Sequence, residues 1–326
     1  MSQLPLKIAI GTAPHTADLK NGTVPIDGVA ADFVEVTPII GAFRRMVRSL
    51  EFDVCEMAPT TYMIAREHGS PFTALPIFLH RFFHHDGILC RDGSGIRSPA
   101  DLAGRKVGVR AFTVTTGVWK RGIMKDDYGL DASGVTWVVD DEEAVPGLTL
   151  PPNVVRDPAG RSLVAQWQAG DLDAAFTGAA GIGRQGAPDA NWSQGANPPQ
   201  PVAAHDLFDH GFDRASDFYR RTRIYPHHGL LVVKDSILAE HPWVARSLFD
   251  AALAAKAPFL AQVDTPEGGD AEIQRYRQLA TVVGSDPLPY GVDANRPSID
   301  ALIDYAADQG LLKRKPDVSD LFVTLN

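Results

Sequence analysis

Two stretches far apart in this chain follow one plan. Phe43 to Met57 reads FRRMVRSLEFDVCEM, and Leu163 to Thr177 reads LVAQWQAGDLDAAFT. Each is a helical run, a short turn holding an acid, an aspartate (Asp53 or Asp173) and an apolar strand. A unit used twice predicts two α/β lobes of similar build, because strands alternating with helices across short turns form mostly parallel sheets. Both aspartates read as structural residues that cap turns. Open parallel sheets bind ligands at the carboxyl ends of their strands, and with two lobes those ends can face each other across a cleft. The 326 residues fit one large or two moderate domains, since a typical domain has roughly 100–200.

The remaining pattern agrees with alternation. Strands are expected at Leu6–Ile10, Val29–Val36, Asp53–Ala58, Phe72–Phe78, Gly87–Cys90, Lys106–Val109, Val135–Val139, Asp173–Thr177 and Leu230–Val233. Helices are expected at Ile40–Leu50, Pro59–His68, Thr115–Tyr128, Ser162–Ala169, Glu272–Val282 and Ile299–Gln309. A helical pattern also runs from Ser236 to Gln262, with Pro242 in the first turn of its second helix. Gly310 stands where a C-terminal cap is wanted. Asp140–Gly160 reads as a long acidic loop, and Gly178–Pro201 has the composition and length of a lid or substrate loop.

The net charge of -9 excludes nucleic acid and anionic membrane as natural partners, so any positive charge that binds an anion must be local. Two cysteines, Cys55 and Cys90, sit in apolar runs and read as buried free thiols. The start of the chain lacks the pattern of a signal peptide, and no window approaches the ~18 apolar residues of a membrane helix. A cytoplasmic protein with a small-molecule partner is expected; assembly into a homo-oligomer is left open.

The stretch Asp101–Trp119, DLAGRKVGVRAFTVTTGVW, reads as turn, strand, polar loop and helix start. Helix N-termini offer unpaired N–H groups and partial positive charge. Thr113, Thr115 and Thr116 crowd that place, and Arg110 adds a bidentate fork. The stretch reads either as a site for a carboxylate or phosphate, or as an ordinary helix cap with spare threonines. There is no P-loop lysine, no G-x-S-x-G elbow and no HExxH.

Within this frame, DLAGRKVGV and LVAQWQAGDLDAAF resemble the most recurrent stretches of the type II periplasmic-binding-protein fold, two α/β lobes joined by two crossing strands. Nearly end to end, the chain resembles the 4,5-dihydroxyphthalate decarboxylase family. The resemblance is carried by FDVCEMAPTTYMIAREHGSPFTALPIF, the Arg81–Phe83–His85 spacing in HRFFHH, IRSPADLAGRKVGV, VWKRGIMKDDYG, FYRRTRIYP, HPWVARSLFDAALAAK and DPLPYGVDANRPSIDALIDYAADQGL. It implies a two-lobed α/β fold with mixed, mostly parallel sheets and a ligand cleft between lobes. Lobe I would hold residues 1–106 and 228–326, lobe II residues 107–227, with hinge strands around Gly87–Cys90 and Gly229–Lys234. The chain departs from the family pattern at His84, at Arg110–Ala111, after the second-lobe strand (no arginine until Arg184) and in Pro226–Gly229.

Five of the ten histidines fall in two clusters, His80, His84 and His85, and then His227 and His228. Each cluster starts a hinge strand, and hinge strands running side by side would bring them together. Three readings stay open: a general acid with a carboxylate ligand, a metal site in which Glu56 joins the histidines, or histidines making local hydrogen bonds. The resemblance implies a decarboxylase of a hydroxylated benzene carboxylate that needs no cofactor. His85, His84, His228 and Glu56 would be catalytic. Arg81, Arg110, Thr113, Thr115, Thr116, Thr60, His227 and Phe83 would bind the anionic aromatic substrate. A solute-binding protein without chemistry and a metal-assisted lyase, with a divalent ion at the histidines, are the alternatives.

Overall fold

The computed structural model describes residues 3–183 and 202–325. Arg184 and most of the Gly178–Pro201 segment, expected to act as a lid, lie outside the described residues. The chain divides into two compact units: residues 1–82, 219–300 and 316–326, and residues 83–218 and 301–315. The expected division fell instead at 106/107 and 227/228.

The first unit is built on β1 (Leu4–Ala9), α1 (Ala17–Lys20), β2 (Val29–Phe33), α2 (Ile40–Ser49), β3 (Val54–Met57), α3 (Pro59–Glu67) and β4 (Phe72–Arg81). The second carries β5 (Ile88–Arg91), β6 (Lys106–Gly108), α4 (Thr115–Tyr128), β7 (Thr136–Val139), β8 (Val154–Arg156), α5 (Leu163–Ala169), β9 (Ala174–Phe176) and β10 (Ala204–Asp206). Next come α6 (Gly211–Thr222), β11 (His227–Lys234), α7 (Asp235–Glu240), α8 (Trp243–Asp264), α9 (Ala271–Val283), α10 (Arg296–Asp308) and α11 (Val318–Leu321).

Each unit has one sheet. The first runs β2-β1-β3-β11-β4 and the second β10-β5-β9-β6-β7-β8. In the first, β1 pairs parallel with β2 and β3, while β11 lies antiparallel between β3 and β4. All four residues of β3 are buried, as expected for a strand covered on both faces. Ala42, Phe43 and Met46 of α2 face inward, and Leu50 closes that helix in the left-handed conformation with its N–H donating to the Met46 carbonyl. The second core gathers around Val107, Trp119, Trp137 and Phe176, none of which is exposed.

The sequence echo is a structural one. The Lys7 N–H donates to Asp53 Oδ2 at 2.9 Å, and the Lys106 N–H donates to Asp173 Oδ2 at 2.9 Å. Each aspartate N–H returns the bond, to the Lys7 carbonyl at 2.8 Å and the Lys106 carbonyl at 2.9 Å. In each unit the aspartate thus pins the start of one parallel strand to the next, because its carboxylate extends the ladder past the last backbone acceptor.

Several expectations are corrected. The two presumed hinge strands do not run side by side: β5 pairs with β9 and β10, and β11 with β3 and β4, in separate sheets. Non-local partner choice decides this, and local pattern does not carry it. The Asp140–Gly160 loop contains β8, an edge strand with only Val154 partly covered. Helix α6 begins at Gly211 and takes in the first residues of FYRRTRIYP. Both cysteines are buried and free, as expected.

Candidate active site at the carboxyl edges of the sheets

In the first unit, β1, β3 and β4 run in one direction, so their carboxyl ends and the start of β11 share one sheet edge. This edge carries the loop Gly11–Thr16, Glu56, His80 and His228. Glu56 is 2% exposed. Its Oε2 accepts from the Gly11 N–H at 2.9 Å, and its Oε1 lies 3.3 Å from His80 Nε2. His80 keeps a quarter of its side chain exposed. Burial alone would push the Glu56 carboxyl up, but the His80 charge, the hydrogen bond to it and the Gly11 N–H hold it below the usual carboxylate range. Burial likewise opposes charge on His80, and Glu56 outweighs it, holding the imidazolium above the ordinary histidine value. The result is an ion pair with one buried anion and one accessible acid.

Glu56 and His80 sit on strands that are not neighbours, since β11 lies between them. They meet over Gly229. That residue has φ +56°, and a Cβ there would lie 2.9 Å from His80 Cδ2 and 3.0 Å from Glu56 Oε1. Glycine is therefore required twice, for the left-handed backbone and for the space.

Beside the pair, His228 faces His80 in register across β11 and β4. The Phe82 ring is 38% exposed, an uncommon value for a phenylalanine at a strand end. It stacks near His80 at 6.2 Å and 23°, meets the His228 ring edge-on at 5.0 Å, and has the Arg275 guanidinium 4.7 Å from its centroid. This is a platform on which an aromatic ring can lie.

The strand alternation that puts His80 and His228 on this face puts Arg81 and His227 on the other. Arg81 is fully buried. It donates to the Tyr225 carbonyl at 2.7 Å and the Pro289 carbonyl at 3.3 Å, and bonds Asn295. It ties chain segments together inside the unit, and its guanidinium is bonded to the chain's own carbonyls and Asn295. His227 packs edge-on against Phe78 at 4.9 Å, and burial, then Arg81, hold it well below the ordinary value. Thr60 is 0% exposed in the first turn of α3.

The corresponding edge of the second unit is occupied by the chain's own ions. Arg110 Nη1 donates to Asp141 Oδ2 at 3.0 Å and Nε to the Ala179 carbonyl at 3.1 Å. The Phe112 and Thr113 N–H groups donate to Glu143 at 2.7 and 3.2 Å, and the Thr113 hydroxyl also bonds it. The anion expected here is thus supplied by Glu143. The threonines do not cap α4, whose N-cap is Val114 without a side-chain bond. Thr115 is buried and Thr116 partly covered.

His84 and His85 belong to this second unit. His84 is 3% exposed, its ring 6.5 Å from Trp119. His85 lies among Phe208 and Phe218, with Nε2 3.7 Å from Asp127. Burial pulls it down to about 4 despite Asp127, so it is neutral near pH 7. Phe83, next to them, is partly covered. Among the described residues no group of three or more His, Cys, Asp or Glu is placed to hold a metal ion. No helix among them is long and apolar enough to cross a membrane.

Of the expected site residues, the fold keeps Glu56 and His228 at one edge. To them it adds His80, which the sequence places in its first histidine cluster without a role of its own, the Phe82 ring, and the Gly11 N–H, for which the sequence gives no signal. Clustering marks His80, and the register of His80–Arg81 against His227–His228, which separates it from His84 and His85, needs the pairing to be read.

The fold is that of the type II periplasmic binding proteins. The structure is similar to the periplasmic aliphatic sulphonate binding protein SsuA from Escherichia coli, with a TM-score of 0.55, 16% identity and 98% of each chain covered. It is also similar to the alkanesulfonate-binding protein SsuA from Xanthomonas axonopodis pv. citri bound to MOPS, with a TM-score of 0.55, 14% identity and 99% of each chain covered. No family model matches the sequence. Among curated proteins it is 36% identical over 182 residues to a 4,5-dihydroxyphthalate decarboxylase of Pseudomonas putida, covering 53% of this chain and 70% of that one. It is 29% identical over 334 residues to a 4,5-dihydroxyphthalate decarboxylase of Comamonas testosteroni, covering 99% of this chain and 97% of that one. The chain belongs to the 4,5-dihydroxyphthalate decarboxylase family.

Proposed function

We propose that this protein is a carboxy-lyase that removes carbon dioxide from a hydroxylated benzene carboxylate, with 4,5-dihydroxyphthalate the first candidate. The observation that carries the reading is the Glu56–His80 ion pair beside the exposed Phe82 ring, because it offers a charged acid next to a surface for an aromatic ring. Names of the curated relatives support the same chemistry. A cytoplasmic location goes with this reading, since such an enzyme acts on a substrate already taken up.

The step balances simply. A ring hydroxyl pushes electron density toward the carbon bearing the carboxylate. The protonated His80 gives its proton to that carbon, the bond to the carboxylate breaks, and its electron pair restores the aromatic ring as carbon dioxide leaves. His80 is left neutral and takes a proton back from solvent. Glu56 holds His80 charged until transfer, and His228, in register with His80, accepts from a ring hydroxyl in this reading. Proton transfer by a positioned side chain contributes about 10²–10⁴-fold.

The test is incubation with 4,5-dihydroxyphthalate and simpler hydroxybenzoates, following carbon dioxide. Turnover that is lost in His80→Gln and kept in His85→Ala supports the reading. Tight binding across the panel with no carbon dioxide overturns it in favour of a solute-binding protein.

A further inference from the structure

The arginines expected to meet a substrate carboxylate are engaged elsewhere, Arg81 with carbonyls and Asn295, Arg110 with Asp141. In a chain of net charge -9 the cation that meets an anionic ring must be local. The edge that carries His80 and Phe82 holds such a cation. Arg275, on α9, brings its guanidinium to 4.7 Å from the centroid of the Phe82 ring and 4.2 Å from that of Tyr276.

A ligand can reach it. Arg275 keeps 32% of its side chain exposed, next to Phe82, the most open phenylalanine of this edge, and the partly open His80. Its Nη1 donates to the Arg81 carbonyl at 2.7 Å, and the Tyr276 hydroxyl lies against the guanidinium. These contacts and the two rings orient the fork, and its five N–H donors outnumber them. Its ion-pair partner Glu272, three residues earlier, has Oε1 4.0 Å from Nη2, outside hydrogen-bond distance. A partly exposed pair at that range contributes about 1 kcal/mol or less, so a ligand carboxylate bonded to the fork displaces little.

The fork and the acid share one spot. After burial and Glu56, the next influences on His80 are the charges of Glu272 and Arg275. A ring laid on Phe82 is within reach of both the His80 acid and the Arg275 fork. 4,5-Dihydroxyphthalate carries two adjacent carboxylates, one that leaves as carbon dioxide and one that stays.

We infer that Arg275 is a specificity-determining residue whose guanidinium receives the carboxylate that the substrate keeps. The inference rests on the decarboxylase reading for the class of ligand and goes beyond it by giving the retained charge a receptor. A planar fork fits a carboxylate through two parallel N–H bonds, which an ammonium does not reproduce.

Calorimetry with 3,4-dihydroxybenzoate, the product that still carries the carboxylate, and with catechol, which lacks it, tests this apart from turnover. The wild type is expected to bind the dihydroxybenzoate at least about tenfold tighter than catechol. Arg275→Gln, which keeps a donor for the Arg81 carbonyl, should bring the two within about threefold and leave catechol within about twofold of its wild-type value. Arg275→Lys, with the charge but not the fork, should fall between. Glu272→Gln removes a competing carboxylate and should tighten the dihydroxybenzoate alone by about two- to fivefold, a gain that a damaged fold does not mimic. A wild type without the preference overturns the inference, as does an Arg275→Gln variant that keeps it or weakens both ligands alike. Should that variant not fold, absence of the gain in Glu272→Gln overturns it. If no hydroxyphthalate releases carbon dioxide while these differences stand, the decarboxylase reading fails and the role of Arg275 in binding does not.

Discussion

The two units solve the start of their sheets alike and the ends differently. At the amino edges, Asp53 and Asp173 make the same pair of backbone bonds to Lys7 and Lys106. At the carboxyl edges, the second unit closes its charges on themselves, with Asp141 on Arg110 and Glu143 on the Phe112–Thr113 amides. The first unit closes only one side: Glu56 is buried and bonded, and its partner His80 stays a quarter exposed. The lesson is that position at a sheet edge makes a site available, and the local balance of charge decides whether it is free to act on a ligand.

The largest expected break in this comparison comes from the acid pair. His80→Gln leaves Glu56 as a buried charge without its cation and should cost about 3–5 kcal/mol in urea unfolding, with activity down at least about 100-fold. Glu56→Gln removes the buried charge itself and should cost less. Equal losses in the two variants would show that the pair is not asymmetric in burial.

The same pair sets a pH window. The depressed Glu56 adds stability that is present above its usual value of 4.5 and is lost as pH falls through its folded value. The raised His80 adds stability that is complete below its usual value of 6.5 and is lost as pH rises through its folded value. Thermal midpoints should therefore be highest between those values, and the His80→Gln profile should lose the fall on the alkaline side.

Smaller effects sharpen the contrast. Glu143→Ala strips the acceptor from two N–H groups and a hydroxyl and should cost about 1–3 kcal/mol, measured by chemical denaturation, with little change in the pH profile of turnover. Gly229→Ala should cost about 1–2 kcal/mol from the left-handed backbone, and should also part Glu56 from His80, lowering activity more than stability. Last, Asp53→Ala and Asp173→Ala should each cost about 1 kcal/mol. Costs differing by more than threefold would end the claim that the two aspartates do one job.

Much of this was legible early. Helix α4 spans the residues its pattern marked, α5 fills the stretch expected for it except that Ser162 stands outside as its cap, and the repeated Asp-strand unit does recur as a repeated contact. The site was legible only in part. Glu56 and His228 stood out as polar residues at strand ends, while His84, His85 and Arg81 stood out for the same reason and lie in interiors. Residue type and spacing are alike in both groups, so nothing local separates them.

The amino-acid sequence by itself determined the alternation of strands and helices, the two-unit α/β plan and the buried thiols, because these follow from periodicity and from burial of apolar runs. Only the tertiary structure decided which imidazole meets which carboxylate. Glu56 reaches His80 because β11 enters between their strands and brings a side-chain-free residue, Gly229, to the crossing. That contact depends on strand order and register, which arise from long-range pairing and leave no local trace.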